Sequence, residues 1–153
     1  MDFPQSVDQV KPRIERWLKE EGFEYLQVTG EEARNAFFGY FVTLRTGTKL
    51  HIFQPSNKKD SICISTGLAF SKAQSMLFSQ KTEIERKEIL SEMQFKLASV
   101  DVEFGFEDGE LPKAVRFKHF IYYDALTKDR FIKAIGTVFK AFMIAGWAFT
   151  QSL

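Results

Sequence analysis

The chain has 153 residues, enough for one domain with a substantial core and too few for two of ordinary size. With 21 basic residues against 20 acidic, the net charge is +1, so no global field points to a nucleic acid. A composition 44% hydrophobic and 27% charged excludes a disordered chain, and a single cysteine, Cys63, excludes an intrachain disulfide framework.

The stripe Val7, Val10, Ile14, Trp17 and Leu18 predicts a first helix. Ser6 with Gln9 resembles a capping box, Pro12 moves the expected start toward Lys11, and Gly22 is the expected stop. Strands are expected at Phe23–Val28, Phe37–Arg45, Lys49–Gln54 and Asp60–Thr66, the last extendable through Phe70. Thr46-Gly47-Thr48 makes the second and third a hairpin. Ile62 and Ile64 share one face of the fourth strand, which leaves Cys63 on the more polar face.

From Ser71 to about Ala98 the pattern is helical, with a break near Ser79–Thr82. Ile89, Leu90, Met93, Leu97 and Val100 project to one side, Ile84 and Phe95 to the other, so this helix has two things to bury against. Val100–Phe106 alternates strictly and is followed by Asp108-Gly109, which predicts a two-residue turn into a strand over Lys113–Tyr123. That register sets Val102 against Val115, Val100 against Phe117 and Asp101 against Arg116, and a register shifted by two preserves the same pattern. A final helix runs from about Thr127 to Thr150, capped by Thr127 or Asp129. Phe131, Ile135, Val138, Phe142 and Phe149 form its core stripe. Its second half, Ala141–Phe149, is apolar nearly all round, which leaves Met143, Ile144 and Trp147 for a second chain or for the far side of the preceding helix.

The order α-βββ(β)-α-ββ-α implies an α+β fold, an antiparallel sheet with helices packed on it, in a single domain over 1–153. The first 13 residues carry no apolar run, so no signal peptide is expected. The uninterrupted apolar run Ala141–Phe149 falls short of the roughly 20 residues of a bilayer span, so no membrane span is expected either.

No chemical motif stands out. His51 and His119 have no ligand spacing, and with one cysteine they cannot assemble a structural zinc set, so they read as satisfied structural histidines. A Cys63–His pair is left open by the sequence, although a thiol within a strand lacks the helix N-terminus that would activate it. Glu103, Glu107, Asp108 and Glu110 read as a solvated hairpin tip facing Lys113, Arg116 and Lys118. Phosphate-loop, dinucleotide and nucleophile-elbow patterns are missing. The 17 phenylalanines read as a ring-rich core, or as a ring-lined groove or interface; the aromatic strand Phe37–Phe41 fits core or sheet-face packing better than base stacking. We therefore expect no catalytic residue, no metal ligand and no cofactor.

The element order, with the stretch His119–Arg130 (HFIYYDALTKDR) leading into a long final helix, resembles small prokaryotic domains of unknown function with a type III secretion chaperone-like (YbjN-like) fold. The resemblance implies an adaptor or chaperone-like binding role, frequently as a homodimer; with the lone cysteine suiting a reducing compartment, we expect a non-enzymatic cytoplasmic domain that binds a protein partner or a second copy. Nucleic acid is not expected. Ile84, Phe95, Met143, Ile144 and Trp147 are the expected interface. The alternative is a carrier that holds a small apolar ligand in a cavity between the sheet and the last helix; an enzyme ranks third.

Overall fold

The computed structural model describes residues 6–107 and 112–153. Four helices, α1 (Val7–Glu20), α2 (Lys72–Ser79), α3 (Glu83–Leu97) and α4 (Lys128–Ser152), accompany six strands: β1 (Glu24–Gln27), β2 (Ala36–Thr43), β3 (Lys49–Pro55), β4 (Ser61–Ala69), β5 (Glu103–Glu107) and β6 (Ala114–Tyr122). The strands form one sheet in the order β1-β2-β3-β4-β6-β5. The ladders are antiparallel, and the Tyr123 N–H to Asp60 and Phe70 N–H to Lys113 bonds make β4 and β6 antiparallel as well. The fold class is therefore α+β, as the alternation of strand runs and helices implies. The chain divides into two compact units: Met1–Ser65 with His119–Ile135, and Thr66–Lys118 with Gly136–Leu153. The strands β4 and β6 and the helix α4 each contribute residues to both.

In the first unit, α1 begins at Val7, not near Lys11, and Pro12 lies inside it. Pro12 is exposed, so the Asp8 carbonyl that loses its helical donor faces water, while Val10 and Ile14 are wholly buried and hold the first turns. Nor does the expected Ser6 capping box form: the Ser6 side chain caps nothing, and its carbonyl accepts from Gln9 and Val10 instead. The stop at Gly22 does hold. Its φ of 72° allows the Phe23 N–H to reach Leu18 and the Gly22 N–H to reach Lys19, closing the helix with a paired Schellman turn. Gly47 (φ 88°) turns β2 into β3 as expected. Tyr40, Val42, Leu50, Ile52, Ile62 and Ile64 fill the core, with Trp17 of α1 against Phe131 of α4 at 5.6 Å.

Two polar links run into this core. The Tyr40 hydroxyl donates to Glu15 of α1 at 2.6 Å, and burial with this carboxylate raises the Tyr40 pKa. The Tyr123 hydroxyl donates to Gln54, whose amide donates to the Lys58 carbonyl. Burial, with the Asp60 charge, pushes Tyr123 up from 10.0 to about 12. Lys128 bridges Glu20 at 2.7 Å and Glu21 at 3.0 Å.

In the second unit, α2 and α3 meet at the expected break, and each starts with a full capping box, Ser71 with Gln74 and Thr82 with Glu85. The β5–β6 register differs from expectation. Phe104 lies opposite Phe117, Phe106 opposite Val115 and Gly105 opposite Arg116, a shift of four residues. The expected Asp108-Gly109 turn lies outside the described residues, and the Glu107–Ala114 pair leaves 108–113 between the strands. An even shift keeps every side chain on its face, so Val115 and Phe117 are buried as expected. The shift replaces Val100 and Val102 with two phenylalanines, which bring more apolar area to the same partners. Asp101 consequently does not face Arg116, which pairs with Glu107 instead.

The helix α4 starts where Thr127 accepts from the Arg130 N–H at 3.2 Å. An 18-residue window within its 25 residues has a mean hydropathy of 1.4, and 39% of that window is buried. By length and composition it is thus long enough to cross a membrane. Counting only the uninterrupted run, which stops at Lys140, missed this; the same numbers also describe a core helix.

Candidate interaction surface

The surface of interest lies in the second unit and begins with how its helices are anchored. Phe149 of α4 stacks on Phe70 at 4.0 Å and meets Phe78 of α2 at 5.5 Å. Val138, Ala141, Ala145 and Ala148 complete the buried stripe of α4. Small residues at three of these positions let the helix axis approach closely what it packs on. Ile89, Met93 and Leu97 bury the inner side of α3.

The outward sides are apolar too. Phe95 is 82% exposed, Ile84 72%, Trp147 59% and Met143 53%. Ile84 and Phe95 are three turns apart on one face of α3, about 16 Å along its axis. Met143 and Trp147 are one turn apart on α4. The Lys96 ammonium lies 4.6 Å from the Trp147 ring centre and also bonds Glu92 at 3.2 Å, linking the end of α3 to the exposed side of α4. Of the five expected interface residues, Ile144 is the exception: it is half-buried, turned toward the covered side of α4. Phe142, expected in the core, is half-buried and stacks beside Phe139 at 6.4 Å. The sequence reading missed Met76 and Leu77 of α2, both about half exposed. A helix of two turns is too short for its periodicity to separate them from the buried Phe78.

Rings on the sheet of the first unit are arranged differently. His51 stacks against Phe53 at 4.4 Å and lies 5.0 Å from Phe41. Gly39 makes room for it, since a Cβ there would lie 3.1 Å from the imidazole Nε2. The Lys58 ammonium sits 4.4 Å from the Phe120 ring and 4.9 Å from Tyr122. These rings are engaged with one another and with their own lysine. Cys63, opposite Phe53, is fully buried on this face. Among the described residues, no three of His, Cys, Asp and Glu come together as a metal site would need. A groove of about 330 Å³ lies at the β5–β6 hairpin, lined by β5 with Arg116 and Lys118.

The α+β architecture can be compared with known families. The sequence profile of the uncharacterized conserved protein family DUF2299 matches residues 10–149, and the chain belongs to that family. Its fold is similar to the crystal structure of an uncharacterized protein from Methanothermobacter thermautotrophicus, with a TM-score of 0.84 and 29% identity over 92% of this chain and 96% of that one. No curated protein matches the sequence.

Proposed function

We propose that this chain is a non-enzymatic, cytoplasmic protein-binding domain that holds an apolar segment of a partner against the outward faces of α2, α3 and the C-terminal half of α4. The observation that carries the reading is the set Phe95, Ile84, Trp147 and Met143, large apolar side chains left in water on helices whose other faces are firmly packed. Exposed apolar patches rimmed by polar residues mark interaction sites, and aromatic and methionine side chains are enriched in them. The order of helices and strands supports a chaperone-like adaptor fold, by analogy only where function is concerned. An even charge balance argues against nucleic acid as the partner.

The carrier reading has less support. It needs a cavity between the sheet and α4, whereas the groove described above is open and lies at the β5–β6 hairpin. The packed phenylalanines and alanines under α4 favour a core helix over both a carrier wall and a membrane span.

The test is affinity capture from native cells with wild type and with Phe95→Glu/Trp147→Glu. Both positions are exposed, so the double variant should fold with a stability change within about 0.5 kcal/mol per site. The reading expects a partner retained by wild type, lost by the variant and rebinding when purified. Identical captured sets from the two proteins would contradict it.

A further inference from the structure

The strand β5 ends the sheet: β6 lies on one side of it, and no strand among the described residues lies on the other. An edge strand offers unpaired main-chain groups, and proteins usually blunt such edges. The sequence of this one, Glu103-Phe104-Gly105-Phe106-Glu107, reads the same in both directions. The opposite edge, β1, reads Glu24-Tyr25-Leu26-Gln27 and has no such symmetry. We propose that β5 pairs with β5 of a second copy of this chain, antiparallel, across a two-fold axis through Gly105.

An antiparallel pair across a two-fold axis through Gly105 sets residue 104 against 106 and 103 against 107, so the palindrome places each residue opposite its own kind. In this register Phe104 meets the second copy's Phe106, so each chain sets a ring against a ring on the face where Val115 and Phe117 are buried. Only this centre sets both phenylalanines of each strand against phenylalanines. On the other face the glutamates meet, Glu103 opposite Glu107, which alone would repel. Two cations stand beside them: Lys118 lies opposite Glu103 across the ladder, and the Arg116 guanidinium bonds the Glu107 carboxylate. Gly105 places no side chain between Arg116 and the edge, and the groove there is floored by β5 itself. Two cations per chain therefore balance the four carboxylates that meet across the axis. The proposal does not depend on the helical surface described above.

The test uses the full chain. Gly105 has no positive φ, and a Cβ there would meet nothing within 4 Å, so Gly105→Cys should fold. Across the axis its Cα atoms would be about 4.5–5.5 Å apart, within the roughly 4.4–6.8 Å that a disulfide spans. Glu103→Cys would place two thiols roughly 13 Å apart along the strands. Under a mild oxidant we expect Gly105→Cys to link into dimers, Glu103→Cys alone to stay unlinked, and a mixture of Glu103→Cys with Glu107→Cys to link. Wild type, whose Cys63 is buried, should not link, but light scattering should give about twice the 17.7 kDa chain mass. Phe95→Glu/Trp147→Glu should keep that mass. A wild-type mass of one chain at every concentration would overturn the proposal. So would a dimer in which Glu103→Cys links as readily as Gly105→Cys, or one that dissociates only when the helical face is charged.

Discussion

The two units treat most of their aromatic side chains differently, although Phe37 and Tyr122 of the first are each about half exposed. In the first, rings and polar groups are matched within the unit: Tyr40 to Glu15, Tyr123 to Gln54, His51 to its flanking phenylalanines, Phe120 and Tyr122 to Lys58. In the second, Phe149, Phe70 and Phe78 pack tightly while Phe95, Trp147, Met143 and Ile84 remain largely in water. The first arrangement specifies a structure, because the buried Tyr40 and Tyr123 hydroxyls each bond one acceptor whose loss is costly. The second leaves apolar area uncovered on a well-anchored frame. That difference is why we place binding on the helices.

The contrast can be broken at its strongest point. Phe149→Ala removes a fully buried ring from its contacts with Phe70 and Phe78 and should cost ~3–5 kcal/mol in a denaturant titration. In the first unit the corresponding change is polar. Tyr123→Phe leaves the Gln54 carbonyl without its buried donor and should cost ~1–3 kcal/mol. Its pH signature is a second readout. The Tyr123 pKa is raised on folding, so the unfolded chain loses its phenolic proton first. Stability is full below pH 10 and falls as pH rises through about 12, and Tyr123→Phe should remove that share of the alkaline loss.

On the exposed side the expected effects on stability are small. Trp147→Glu should leave the melting profile within about 0.5 kcal/mol of wild type; an unfolding of the second unit would mean that Trp147 is core and the contrast is false. The smallest effect concerns the Lys128 cluster. Lys128 lowers the Glu20 pKa chiefly through their hydrogen bond, so this contact stabilises the fold above the ordinary glutamate pKa and is lost as pH falls through the lowered one. Lys128→Gln should flatten the acid limb of the stability profile slightly, as thermal melts across pH would record.

Much of this was legible in the sequence. The stripe of α1, the β2–β3 hairpin, the break between α2 and α3 and the long last helix all follow from periodicity and turn residues, and so does the outward placing of Ile84 and Phe95, which are 11 residues apart in one helix. The β5–β6 register was not legible, because any even shift leaves alternation intact and only the ring sizes of Phe104 and Phe106 decide among shifts. The start of α1 was misread because Pro12 was weighed locally, without the burial of Val10 that outweighs it. Lys58 over Phe120 and Tyr122 joins residues more than 60 positions apart, which no local pattern encodes. The partial cover of Ile144 and Phe142 depends on what α4 packs against, and a helical wheel alone places both on its margin.

The most direct measurement is photocrosslinking in native cells from a photoreactive residue placed at 95, at 147 or, as a control in the first unit, at 26, whose leucine is also well exposed. The account predicts the same partner protein linked at 95 and 147 and not at 26. Linking at all three positions alike, or at 26 alone, would contradict it.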